Sequence, residues 1–387
     1  MATKKKETPK ITDGCELKTL KKTQFIETGN IGIDIAFSDG KGIPMGTNIM
    51  FFGLPGTGKT TIFCDIIRRL MERYEKAGLP MRVHYVDSES SRDLLESTGV
   101  MKYVYDPEEY APYQVIYHEH VNAFKQLENI YLRMLTPKDN WGRDIHFVFI
   151  DSVTKLLAES QLDLKNGVDK ADFGDNARAR KKLYGKWLSN IQAMDITQFW
   201  SVQMAQKQNV QAFEDPKKPA VSEFDKHNMD IIVKLTASKD TKRTDINKVK
   251  FNTLQGEQED IPKYVVKIDP GQAAHTKNRH GQNLAVDVML WRGKGIVNAY
   301  MVRRMLEAYK LVSNEKDMYA LSPELVEFLG PDALEQAGIT DVNKVKRSPT
   351  MNKLCSYNAD RIVEWFKAKD IYKMKVGVTD VDDGLYI

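Results

Sequence analysis

Cysteine is scarce in this chain. Cys15, Cys64 and Cys355 are the only three among 387 residues, and no CxxC pair or His/Cys ligand spacing accompanies them. Their scatter argues against a disulfide framework and a zinc site, and it implies a reducing compartment. Long apolar runs are absent as well: nothing approaches the roughly 18 apolar residues that a spanning helix requires. The charged start, Met1-Ala2-Thr3-Lys4-Lys5-Lys6, has no apolar run behind it, so a secretory leader is not expected. These absences predict a soluble, cytoplasmic protein with no membrane partner. An excess of one charge is also missing, with 57 Lys and Arg against 53 Asp and Glu and a formal net charge of +4. That balance neither demands nor excludes nucleic acid, because local patches matter more than the total. No internal repeat is visible.

What is present is a globular composition, 42% hydrophobic and 28% charged, in a chain long enough for a large core with a small appendage. Residues 1–25 are polar and lysine-rich, and read as a basic tail or docking segment. Between 26 and 310, short apolar runs alternate with stretches able to form helices. The runs are 48–53, 81–88, 146–151, 199–203, 229–236, 264–268 and 284–291, and the helical segments fall at 59–76, 121–135 and 175–194. Near-continuous apolar strands joined by helical crossovers imply an α/β fold with a mostly parallel central sheet covered on both faces. Only polar loops separate the last three runs, which adds antiparallel strands at one edge. Polar stretches at 158–174, 207–226 and 238–263 read as long loops. From 311 to 387 the chain becomes polar and helical, with Pro331 and Pro349 as punctuation, giving a small, mainly helical C-terminal domain.

Gly53-Leu54-Pro55-Gly56-Thr57-Gly58-Lys59-Thr60 fits GxxxxGK[ST] in full, after an apolar strand and at the start of a helix. The glycines let successive backbone N–H groups converge on phosphate oxygens, and the helix N-terminus adds its positive end. Lys59 then reaches the β- and γ-phosphates, the Thr60 hydroxyl ligates Mg²⁺, and Thr61 beside it is counted among the nucleotide-binding residues. Mg²⁺ needs a second hard oxygen, and the strand ending in Asp151 supplies it, in a Walker B pattern. ATP and Mg²⁺ are the expected cofactors. Hydrolysis also needs a group to orient or deprotonate water. The strand at 81–86 runs into Asp87-Ser88-Glu89-Ser90, which offers Glu89, with Asp87 as the alternative. Another strand ends in Gln203, whose amide is suited to sense a γ-phosphate and report it to the loop that follows.

These elements, in this order, resemble the RecA family of recombinases. Thr28-Gly29-Asn30-Ile31-Gly32-Ile33-Asp34 is similar to the family's opening phrase, and Gly42-Ile43-Pro44-Met45-Gly46 to its approach to the phosphate strand. The likeness spans residues 26–310, and its layout is closest to phage recombinases of the UvsX kind. It implies a RecA-like P-loop ATPase core, with Glu89 as the catalytic glutamate and Gln203 as the switch glutamine. It places the two DNA-binding loops at 158–174 and 207–226, with Phe213 and Pro216 echoing an aromatic-x-x-Pro feature of the second. Lys277 and Arg279 match the cations by which that family reaches a neighbouring subunit's phosphate. The second loop departs from bacterial members: it lacks their paired glycines and carries Glu214, Asp215 and Glu223. The partners implied are single-stranded DNA, then duplex DNA, and further copies of the chain in a helical filament. The compartment is the host cytoplasm if the chain is phage-encoded.

Single-strand binding requires cations along the backbone and aromatic or apolar side chains against the bases. Lys207, Lys217, Lys218 and Lys226 around Phe213 offer this, and Arg178-Ala179-Arg180-Lys181-Lys182 offers a second basic surface. On that second helix Leu183, Trp187, Leu188 and Ile191 mark the core face by their spacing. Two functions are therefore expected: a DNA recombinase that promotes pairing and strand exchange, or a RecA-fold motor or accessory ATPase, as in hexameric helicases and RadA-like proteins.

Overall fold

The structure is a computed structural model, and it describes residues 24–104, 113–135, 145–162, 174–193, 195–206, 217–237, 248–252, 258–281, 283–291, 293–315, 318–346 and 350–368. The main elements are α1 (Ile31–Ser38), β1 (Asn48–Gly53), α2 (Lys59–Ala77), β2 (Met81–Asp87), β3 (Tyr113–His118), α3 (Phe124–Leu135), β4 (Ile145–Asp151), α4 (Asp175–Ala193), β5 (Thr197–Gln206), β6 (Ile231–Ala237), β7 (Gln258–Asp269), β8 (Val286–Trp291), β9 (Gly295–Ile296) and α5 (Asn298–Ala308). The fold is α/β, and its large sheet runs in the order β9-β8-β7-β6-β1-β5-β4-β2-β3. Strands β6, β1, β5, β4, β2 and β3 are mutually parallel. Strands β7, β8 and β9 continue the sheet with antiparallel pairing.

Burial is deepest in the inner strands of the sheet. All six residues of β1 and all seven of β2 are inaccessible, which suits a sheet covered on both faces. Alternate side chains feed two cores. Phe51, Val83, Tyr85, Phe147, Phe149 and Phe199 face one layer, while Met50, Phe52, Val148, Ile150, Trp200 and Val202 face the other. In the first layer Phe149 and Phe199 stack with centroids 4.5 Å apart, and Phe63 of α2 sets its ring on Phe149 at 5.3 Å. Helix α2 buries Ile62, Phe63, Ile66, Ile67 and Leu70 on this face, each contributing about 1.5–3 kcal/mol relative to exposure. It ends at Gly78, φ 68°, whose N–H donates to Glu75 O. Burial of Ile62 and Phe63 anchors the helix start against the sheet, which matters for the residues it carries.

Three sequence expectations change. Strand β3 lies at the parallel edge, where the alternation in Tyr113-Gln114-Val115-Ile116-Tyr117-His118 is too mixed to mark a buried strand. The 238–263 stretch is not all loop: Lys248–Asn252 pairs antiparallel with the first half of β7, and ladder hydrogen bonds make up for its polar text. The C-terminal portion has its helices, Pro323–Ala337, Thr350–Tyr357 and Ala359–Ala368, but also a three-stranded antiparallel sheet of Val312–Glu315, Met318–Leu321 and Val345–Lys346. Strands of two to four residues are too short to show a period of two. Among the described residues no helix is long and apolar enough to cross a membrane.

Candidate functional site

Parallel register gathers the sequence-predicted residues at one end of the sheet. Gly53 lies opposite Gln203, and Asp87 opposite Asp151, so the carboxyl ends of β1, β5, β4 and β2 form one ledge. From that ledge the 53–60 segment turns into α2. Gly56 and Gly58 have φ of 77° and 88°, in the left-handed region that glycine enters readily. A Cβ on Gly58 would lie 2.3 Å from Leu290 Cδ1 and 2.9 Å from the Tyr264 hydroxyl, so β7 and β8 roof the turn closely. Leu54, Pro55 and Gly56 are exposed at its tip, while Thr57 is buried and donates to Leu54 O at 2.9 Å. Thr61 is buried one residue beyond Thr60. Lys59 folds over the turn, its Nζ donating to Gly53 O at 3.1 Å and Leu54 O at 3.2 Å. Burial lowers its pKa, and the charges of Asp151 and Glu89 oppose that shift.

Thr60 Oγ1 donates to Asp151 Oδ2 at 2.5 Å, and the Tyr85 hydroxyl donates to the same oxygen at 3.1 Å. Asp151 Oδ1 is buried and has no hydrogen-bond partner among the described residues. Burial raises the Asp151 pKa, the Thr60 hydrogen bond opposes the rise, and the Glu89 charge adds to it. A buried carboxylate oxygen without a donor is costly. Beside a threonine hydroxyl it makes the hard-oxygen pair that Mg²⁺ takes, so the donor set fits that ion.

Glu89 and Gln203, singled out on separate strands, touch. Gln203 Nε2 donates to Glu89 Oε1 at 2.9 Å, and the Ser152 hydroxyl donates to the same oxygen at 2.8 Å. Asp87 is committed elsewhere: its carboxylate accepts from Glu89 N at 2.9 Å, Ser91 N at 2.6 Å and the Tyr117 hydroxyl at 2.6 Å. Asp87 is buried and turns the chain, whereas Glu89 is exposed on the ledge. Spacing alone did not separate the two. Ser152, Tyr85, Tyr264 and Leu290 escaped sequence reasoning, because a strand residue's partner across the sheet is set by register and not by local pattern.

The candidate nucleic-acid residues divide. The segment expected as one loop at 207–226 is partly regular. Lys217–Pro219 pairs antiparallel with the end of β5, Gln206 opposite Lys217 and Ala205 opposite Lys218. A helix, Glu223–Asn228, follows, opened by a capping box of Ser222 and Asp225. Gln203 O accepts from Ala220 N at 2.9 Å, so Gln203 stands at the base of a hairpin. Lys217 and Lys218 are half-buried on its second arm. Lys207 and Phe213 lie outside the described residues, as does most of the 158–174 segment. Lys226 is buried and ion-paired to Glu223 at 2.5 Å, so it offers no cation to a backbone. Arg180 is likewise buried, its Nε 3.6 Å from Asp225 Oδ2. Its place on α4 turns it inward beside Tyr184, leaving Arg178, Lys181 and Lys182 as the exposed cations there.

Lys277 and Arg279 stand at the other end of the sheet. Lys277 pairs with Ile232 at the start of β6, and its Nζ donates to Met229 O at 2.5 Å. Arg279 Nη1 is 3.0 Å from Asp230 Oδ1. Within one chain they do not face the glycine turn. A cleft of about 560 Å³ also lies away from the ledge, lined in part by Glu27, Asp34, Arg73 and Lys367. Glu27 there is engaged by both Arg73 and Lys367. Compared with models of protein families and with curated proteins, the chain matches none.

Proposed function

We propose that the protein is a DNA-dependent ATPase of the RecA type: a recombinase that forms filaments on single-stranded DNA and promotes pairing and strand exchange with duplex DNA. One observation carries this reading. The glycine turn, the Thr60–Asp151 contact and the Glu89–Gln203 contact share a single ledge, and Gln203 continues directly into a lysine-bearing hairpin. Backbone N–H groups of the turn and the start of α2 receive phosphate oxygens, with Lys59 as the point cation on the β- and γ-phosphates. Thr60 and Asp151 would hold Mg²⁺, which would supply positive charge beside the phosphates. Glu89 takes a proton from water as the water oxygen bonds to the γ-phosphorus. The bond from that phosphorus to the β,γ-bridging oxygen breaks, and its electron pair leaves with ADP.

Lys59→Ala removes the point cation and should abolish ATP turnover, while Asp151→Asn should weaken Mg²⁺-dependent nucleotide binding. Phosphate release measured with and without single-stranded DNA tests both variants. Wild-type rates from the pair would remove the nucleotide reading altogether.

A further inference from the structure

We infer that Ser152 is a positioning residue for Glu89, fixing which carboxylate oxygen remains open to water. The inference rests on the ATPase reading above and assigns a role to a residue outside the glycine turn and the acid pair.

The Ser152 hydroxyl is buried, 2.8 Å from Glu89 Oε1 and 2.8 Å from Thr154 Oγ1. A hydroxyl carries one proton. Since an ionised carboxylate only accepts, Ser152 gives its proton to Glu89 and receives one from Thr154. The result is a directed chain, Thr154 to Ser152 to Glu89, in which each bond polarises the next. Gln203 Nε2 adds a second donor to the same Oε1. Among the described residues none donates to Oε2. One oxygen is therefore held by two donors, and the other is left to accept a proton from water.

The backbone that aims this hydroxyl is held independently of Glu89. Ser152 N donates to Ser88 Oγ at 2.8 Å, Ser88 Oγ donates to Ser152 O at 2.9 Å, and Ser88 N donates to Asp151 O at 2.8 Å. These bonds tie the end of β4 to the end of β2, and removing the Ser152 hydroxyl leaves all three in place. Glu89 itself is exposed, so without Ser152 its side chain has many rotamers to sample. Gln203 reaches the same oxygen from β5, at the base of the hairpin.

The test compares Ser152→Ala, Thr154→Ala, Glu89→Gln and the Ser152→Ala/Glu89→Gln double variant. For each, steady-state phosphate release on single-stranded DNA is measured together with the Kd for a nonhydrolysable ATP analogue. Ser152→Ala should lower kcat about 10- to 100-fold, the loss of one hydrogen bond to a charged acceptor. KM and the analogue Kd should stay within about twofold of wild type. Thr154→Ala, at a half-buried position, should lower kcat in the same direction by a smaller factor. In the Glu89→Gln background Ser152→Ala should cost nothing further, since its effect passes through the carboxylate. Wild-type kcat in Ser152→Ala, a matching rise in analogue Kd, or losses that multiply in the double variant would each overturn the inference. A wild-type chain without ATP turnover would instead sink the ATPase reading, and this inference with it.

Discussion

Asp87 and Glu89 are two residues apart, and burial separates their roles. Asp87 accepts three donors in the interior, whereas Glu89 stands exposed beside Gln203. Glu89→Gln should keep nucleotide binding and slow turnover by roughly 10²–10⁴-fold, the usual worth of a general base. Asp87→Asn should act on stability instead, at about 1–3 kcal/mol for a mispaired buried acceptor, read from urea midpoints. A larger turnover loss from Asp87→Asn than from Glu89→Gln would move the base to Asp87. His118 offers a pH test on a second residue. It stacks on His84, Nδ1 of His84 lying 3.1 Å from its Nε2, and burial, with Arg133 nearby, holds its pKa down at about 4. The folded chain thus keeps it neutral, while the unfolded chain protonates it near the ordinary value of about 6.5. Its contribution to stability is complete above pH 6.5 and is lost as pH falls toward 4, by at most about 3 kcal/mol. His118→Gln should flatten that part of the stability curve, and an unchanged slope between pH 7 and 4.5 would exclude it.

At the scale of elements, β5 runs from the sheet core through Gln203 into the hairpin that Lys217–Pro219 closes. The Ser222 capping box and the buried Arg180–Asp225 pair tie the hairpin's far end to α4. On the proposed reading, the residue that senses nucleotide and the arm that carries Lys217 and Lys218 are neighbouring strands of one hairpin, and linkage makes any coupling between them reciprocal. Gln203→Ala should leave ATP binding without DNA almost unchanged, yet erase both DNA stimulation of turnover and the gain in DNA affinity that ATP brings. Lys217→Ala with Lys218→Ala should flatten the salt dependence of single-strand binding, by about 0.7 in log–log slope for each phosphate that is no longer neutralised. Titrations at several salt concentrations, with and without an ATP analogue, separate these outcomes. Full ATP-dependent tightening in Gln203→Ala would rule out the switch, and wild-type binding by the lysine variant would direct attention to Arg178, Lys181 and Lys182.

At the scale of the molecule, the positions of Lys277 and Arg279 bear on assembly. Lys277 pairs with Ile232, three residues before the Leu235 that lies opposite Gly53, which is about 10 Å along the strand at 3.3 Å per residue. On the proposed reading, the phosphate that these two cations act on is another chain's. Lys277→Ala with Arg279→Ala should suppress DNA-stimulated turnover while leaving ATP binding by isolated chains nearly intact. Electron microscopy with single-stranded DNA and a nonhydrolysable ATP analogue should show continuous helical filaments that the double variant fails to form. Closed rings would favour the motor reading, and unchanged stimulated turnover would remove the two cations from any shared site.

The sequence by itself determined the elements whose cause is local. Near-continuous apolar runs at 48–53 and 146–151 marked buried strands, because a strand covered on both faces needs few polar side chains. The 53–60 turn was legible because its glycines answer a backbone requirement that no other residue meets as cheaply, seen in φ of 77° and 88° at Gly56 and Gly58. Only tertiary structure decided what depends on register and facing. Parallel pairing set Gly53 opposite Gln203 and Asp87 opposite Asp151, and so brought Glu89, Ser152 and Gln203 into contact. Helix packing turned Arg180 inward while Arg178, two residues earlier, stayed exposed. Charge is written in the sequence, but whether a charge meets solvent or another side chain is settled by what packs against it, often from far along the chain.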